Sequence, residues 1–117
     1  MTTQTYQAAA WELLAQGVDE LAAGDARQAS EKGWGAAAQM VKAVAQQRGW
    51  THTNHGALFA TASRLVREAG IQEIEPLFSA ASALHVNFYE NWMSSQYVED
   101  ELTKVRRLLE LLQPMIE

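Results

Sequence analysis

The run Ala83-Leu84-His85-Val86-Asn87-Phe88-Tyr89-Glu90-Asn91-Trp92 joins a histidine, aromatic rings, two amides and a carboxylate in one short segment. Read as a helix, it has two unlike sides. His85, Phe88, Tyr89 and Trp92 recur at i, i+3, i+4 and i+7 and share one side. Asn87, Glu90 and Asn91 recur at i, i+3 and i+4 and fall roughly opposite His85. A segment that only filled a core would not need both an aromatic and an amide-rich side. The run is therefore predicted to be a helix that also carries the functional surface.

The same period extends in both directions. Upstream, Leu77, Phe78, Ala81 and Leu84 lead into it, and His85, Phe88 and Trp92 complete the predicted buried side. Pro76 fits only a first turn, so this fourth helix is predicted to begin near Ile74 or Glu75 and reach Trp92. Ser94 and Ser95 break it. A fifth helix over residues 97–115 has Val98, Leu102, Val105, Leu109, Leu112 and Ile116 on a heptad seam, with Leu108 and Leu111 as a second strip. Nearer the start, residues 4–23 carry Tyr6, Ala10, Leu13, Leu14, Gly17 and Leu21 at helical spacing. Gly24 and Asp25 suit a left-handed stop and a new cap. Residues 26–48 form a second helix whose stripe is small: Ala29, Gly33, Ala36 and Ala37 precede Met40, Val41 and Val44. Its glycines lower helix propensity and are predicted to admit a close neighbour. Trp34 is the large anchor among them. Residues 55–68 make a third helix with Leu58, Phe59, Ala62, Leu65 and Val66 on one face. No stretch alternates at period two for long enough to be a strand. The fold class predicted is all-α, an up-and-down bundle of four to five helices forming one domain over residues 1–117.

Composition bounds the function. The chain has 117 residues, 48% of them hydrophobic, which is enough for a core. It has no cysteine, so no disulfide framework or thiolate metal site is open to it. No apolar run nears membrane-spanning length and no signal peptide is read at the N-terminus, so the expected compartment is cytoplasmic, without membrane contact. A net charge of −5 argues against a broad nonspecific grip on nucleic acid.

Two segments together resemble a known family. Ala29-Ser30-Glu31-Lys32-Gly33-Trp34-Gly35-Ala36-Ala37-Ala38-Gln39, followed by Gly49-Trp50 and His55, and then Leu84 to Trp92, are similar to the PaREP-type branch of the HEPN superfamily (higher eukaryotes and prokaryotes nucleotide-binding). The likeness covers roughly residues 8–112. It implies a HEPN-like bundle that dimerises. The wider superfamily includes ribonuclease toxins, partners of nucleotidyltransferases and proteins without a settled role. Its nucleases place an arginine ahead of a histidine with four to six residues between them. Before His85 those positions hold Phe78, Ser79 and Ala80, and another chain would have to lend Arg27, Arg64 or Arg106.

Several side chains are singled out. His85 is the candidate catalytic residue, because histidine exchanges protons near neutral pH; the plainer alternative is a core-edge histidine bonded to a neighbouring helix. The candidate binding residues are Glu31, Lys32, Trp34, Asn87, Tyr89, Glu90 and Asn91. Glu31 and Lys32 are read as facing the fourth helix, where Glu31 could orient a histidine or an amide. Asn87, Glu90 and Asn91 are read as a polar recognition surface or as a network between helices. Arg48 and His55 match the nuclease spacing only on a connection. His52 and His55 lack a nearby third ligand, so no metal and no cofactor are expected. Lys104, Arg106 and Arg107 follow Glu99, Asp100 and Glu101 on one helix, an order that suits the helix dipole alone. The expected function is a noncatalytic, homodimeric module binding RNA or a cognate protein such as a nucleotidyltransferase between the second and fourth helices. The alternatives are a metal-independent ribonuclease using His85, and a purely structural dimer. The homodimer is expected from the strip Leu108 and Leu111, which one neighbouring helix would leave uncovered, and from the aromatic load at Trp92 and Tyr97.

Overall fold

A computed structural model describes residues 2–116. Among them the elements are α1 (Thr3–Ala22), α2 (Ala26–Gln47), α3 (His55–Ala69), α4 (Ile74–Glu90) and α5 (Ser95–Leu112), followed by a short 3₁₀ turn (Gln113–Met115). No strand occurs among the described residues. No helix is long and apolar enough to cross a membrane.

The helices begin where short polar side chains can cap them. Thr2, Asp25, Asn54 and Ser94 each accept a hydrogen bond from a backbone N–H in the first turn. Three helices hand over through glycines in the left-handed region, Gly24, Gly49 and Gly70.

The long second helix is the centre of the bundle and touches all four others. Its small residues make this possible. A Cβ built on Gly33 would lie 2.6 Å from Leu102 Cδ2 and 2.9 Å from Leu84 Cδ1, so α4 and α5 close in where no side chain stands. On the other flank, Gly17 of α1 comes so near that its own Cβ would lie 3.3 Å from the Ala29 carbonyl oxygen. Ala36, Ala37, Met40, Val41 and Val44 then fill the core with Leu65, Phe78, Leu84 and the α5 seam of Val98, Leu102, Val105, Leu109 and Leu112. Trp11 Nε1 donates to Gln113 Oε1 at 2.7 Å, fastening α1 to the end of the chain.

Two expectations are corrected. The flanking strip of α5 is not left over: Leu108 is fully buried and Leu111 half-buried, because α5 sits in the angle between α1, α2 and α4 and so has more than one covering neighbour. That strip therefore gives no argument for a dimer. The inward face of α4 runs through Ile74, Phe78, Ala81, Leu84 and Asn87, not out to Trp92. The helix stops at Glu90, and Trp92 is 56% exposed.

One ion pair joins α5 to the start of α4. Arg107 grips Glu73 with Nη2 to Oε1 at 2.7 Å and Nε to Oε2 at 3.3 Å. The hydrogen bond first, and the charge of the guanidinium with it, hold the Glu73 carboxyl below the usual carboxylate range. A depressed folded-state pKa stabilises above the unfolded value and is lost as pH falls through the folded one. Both side chains are half-exposed, so the effect is small. The gap in melting temperature between the parent and Arg107→Met is expected to be present at pH 7 and to close as pH falls below the usual carboxylate range. A gap independent of pH would contradict this assignment.

Candidate functional site

The antiparallel contact between α2 and α4 sets side chains in register along one seam. Arg27, Glu31 and Trp34 lie at i, i+4 and i+7 on α2 and share a face. Opposite them on α4 are Phe88, His85 and Phe78. At one end Arg27 Nε donates to the Phe88 carbonyl at 2.7 Å, and its guanidinium stands 5.1 Å from the Phe88 ring centre. This satisfies a carbonyl at the end of α4, where a cation also suits the helix dipole. In the middle His85 Nδ1 meets Glu31 Oε1 at 2.7 Å. With a carboxylate as acceptor, Nδ1–H is the donor. Both side chains are about one third exposed.

At the far end Trp34 is nearly buried, resting on Phe78 with ring centres 5.5 Å apart. His55, the first residue of α3, stacks on it at 4.5 Å with the planes 9° apart. His55 and His85 stand 5.4 Å apart, each against the same indole. Tyr89, 69% exposed, sets its ring edge-on to His85 at 5.5 Å. The seam thus reads, from end to end, as a cation, a carboxylate–imidazole pair with a phenol beside it, and an imidazole lying flat on an indole. It is a surface strip. The groove between α1 and α5 and the hollow beside Trp50 both lie away from it.

The amides do something else. Asn87 is fully buried. Its Oδ1 accepts from the backbone N–H of Trp92 and of Met93, both at 2.9 Å. Its Nδ2 donates to Ser30 Oγ at 2.9 Å, and that hydroxyl donates to the Ala26 carbonyl. Asn91 has φ 52° and closes α4 as a left-handed cap, its N–H bonded to the Asn87 carbonyl at 2.7 Å. Asn87 and Asn91 are therefore the helix stop. Asn87, being buried, does not share a surface with Glu90 and Asn91, which are both exposed. Asn87 cannot reach a ligand, because each of its polar atoms already has a partner inside.

Lys32 also departs from expectation. Its Nζ donates to Gln16 Oε1 on α1 at 2.9 Å, away from α4. Neighbouring helix positions are about 100° apart, so Glu31 and Lys32 serve different neighbours. Arg48 turns toward the Trp50 ring while His55 lies on Trp34, so their nuclease-like spacing does not bring them together. Among the described residues no group of three or more His, Asp or Glu gathers as metal ligands.

Two members of the seam went unassigned in the sequence reading. His55 appeared there only in the family likeness and in the pairings with Arg48 and His52, and Arg27 only as a cation lent by another chain. Arg27 does share the helical spacing of Glu31 and Trp34, which was the signal available. No local signal links His55 to Trp34, since they lie on different helices.

Comparison with known proteins agrees with this fold. A crystal structure of a protein from Sulfolobus solfataricus superposes with a TM-score of 0.82 at 25% sequence identity, covering 93% of this chain and 97% of that one. No curated protein sequence matches. The model of the archaeal PaREP1/PaREP8 family matches residues 5–109. The chain belongs to the archaeal PaREP1/PaREP8 family.

Proposed function

We propose that this protein is a noncatalytic module that binds single-stranded RNA along the α2–α4 seam. The observation that carries the reading is the exposed His55 ring, held flat on Trp34, and followed along the strip by Tyr89. Single-stranded nucleic acids are held by stacking bases on such rings, each worth about 1–3 kcal/mol. The Glu31–His85 pair beside the rings favours ribose over a bare backbone: a carboxylate oxygen accepts a hydroxyl proton and repels phosphate, and the 2′-hydroxyl is what separates RNA from DNA. Arg27 is the one cation found in the seam contacts, so binding leans on stacking and less on charge.

The test is titration of tryptophan emission with short single-stranded RNA and the matching DNA. RNA is expected to bind more tightly, with a logarithmic salt slope no steeper than about −0.7, the contribution of one neutralised phosphate on a single strand. His55→Ala and Tyr89→Ala are each expected to weaken binding about tenfold. Unchanged affinity in the double variant would remove the seam from the function.

A second reading is supported by the His85–Glu31 bond, which holds an imidazole ready to take a proton from a 2′-hydroxyl. Cleavage also needs a cation on the phosphate as charge builds, and Arg27 is spent on the Phe88 carbonyl. The RNA is expected to emerge intact. Cleavage abolished by His85→Ala would replace the first reading with this one.

A further inference from the structure

Away from the seam, the end of α2 presents another ring. Gly49, with φ 74°, closes α2 in the left-handed region, and the Trp50 N–H donates to the Ala45 carbonyl at 2.8 Å. The indole is thereby seated beside α3, and two arginines come to it. The Arg64 guanidinium carbon stands 3.9 Å from the ring centre, and that of Arg48 stands 5.7 Å from it. The two guanidinium carbons are therefore within about 10 Å of each other. Beside them is a hollow of about 200 Å³ lined by Trp50, Thr51, Ala57, Ala60, Thr61 and Arg64.

Stacking explains one guanidinium on this ring and not two. A second cation is repelled by the first, and at an exposed site that repulsion is of the same order as the gain from the ring. Among the described residues one carboxylate answers: Glu68 Oε2 lies 3.3 Å from Arg64 Nε. The Arg48 guanidinium has no hydrogen bond or ion pair among them. The pair thus keeps an excess of positive charge in a chain of net charge −5. An arginine laid on a ring keeps its N–H fork in the guanidinium plane, aimed past the rim, which suits a bidentate bond to an oxyanion. We infer that Arg48 and Arg64 bind the phosphate of a compact phosphate monoester whose short carbon body rests in the hollow beside Trp50. Such a phosphate has three terminal oxygens and close to two charges near neutral pH, so it can take a fork from each arginine. One carboxylate has a single bidentate edge and one charge. A bare ion would leave the apolar wall of Ala57, Ala60 and the indole uncovered. The hollow also falls below the roughly 300 Å³ at which ordinary ligand pockets begin. A nucleoside is therefore too large for it, and a body of a few carbons fits. This site is independent of the RNA reading.

The experiment is isothermal titration calorimetry of the whole chain with glycerol phosphate at pH 8 and constant ionic strength, with circular dichroism as the folding control. Saturable binding is expected, with a dissociation constant of about 1 mM or below. Acetate is expected to bind at least about tenfold more weakly, and inorganic phosphate to fall between the two. Arg48→Gln and Arg64→Gln are each expected to weaken glycerol phosphate about tenfold or more. Arg64→Lys keeps the charge without the fork and is expected to weaken it by a similar factor. Arg106→Gln removes the same charge from α5 and is expected to leave the affinity unchanged, as is Tyr89→Ala in the seam. All of these side chains are exposed, so helicity is expected to hold. Absence of saturation, acetate or inorganic phosphate bound as tightly as the ester, unchanged affinity in Arg48→Gln or Arg64→Gln, or an equal loss in Arg106→Gln would each overturn the inference.

Discussion

Asn87→Ala is expected to destabilise the protein by about 2–4 kcal/mol, the largest effect of any single polar substitution in the chain. Three partners are lost together. The Trp92 and Met93 N–H groups have Asn87 Oδ1 as acceptor, and the Ser30 hydroxyl receives Asn87 Nδ2. A buried donor left without an acceptor costs about 1–3 kcal/mol, and alanine has nothing to offer in exchange. Ser30→Ala removes two bonds, from Asn87 Nδ2 and to the Ala26 carbonyl, but keeps the helix stop, so about 1–2 kcal/mol is expected there. Urea unfolding separates the two: the midpoint should fall in both variants with the slope unchanged. An Asn87→Ala midpoint close to that of the parent would mean that water reaches the 92–93 backbone and that the amide holds nothing in place.

Gly33→Leu is expected to cost about 1–3 kcal/mol by overpacking, read as a drop in melting temperature. The nearest atoms to a new Cβ are the far ends of Leu102 and Leu84, flexible side-chain tips that must swing aside by roughly 1 Å to restore ordinary contact. Gly33→Ala is therefore expected to stay near neutral, with the strain offset by a helix propensity gain of about 1 kcal/mol. A leucine needs room for three more carbons between helices already in contact, and rotation of the neighbours does not supply it. Equal melting temperatures for the leucine variant and the parent would put Gly33 outside the packed interface.

The five helices were legible because each is long enough to repeat its period several times. Their boundaries were legible where punctuation is explicit, as at Gly24-Asp25 and Ser94-Ser95. The end of α4 was not. Stripes of apolar residues place Phe78, Ala81 and Leu84 inward, and hydropathy then prefers Phe88 over Asn87 as the next member. Asparagine won that position because buried N–H groups beyond the helix needed its oxygen, and apolar periodicity does not register a need for hydrogen bonds. The same limit explains Lys32. On a helix covered on nearly every side, small residues surround Glu31 and Lys32 alike, and nothing in their order tells which neighbour each will meet. In the seam, Glu31, Trp34, His85 and Tyr89 stood out by residue type. The His55 stack could not, since it depends on how the 48–54 connection folds back to bring α3 against α2. The direction of Leu108 and Leu111 was misjudged for a related reason: counting one neighbour per helix underestimates the cover that a five-helix packing provides.

The helix stop built from Asn87 and Asn91 changes what the most recognisable run of this sequence means. Asn87-Phe88-Tyr89-Glu90-Asn91 is distinctive enough to attract a search, yet two of its five letters are there to end α4 and seat the next segment. A chain sharing the run would share an architecture before it shared an activity. If the α2–α4 seam binds as proposed, two relatives could keep those amides intact and differ wholly in what they bind, because ligand choice would then rest with the side chains at 27, 31, 55, 85 and 89. The informative comparison across relatives is therefore at those five positions, and the run itself is a signature of shape.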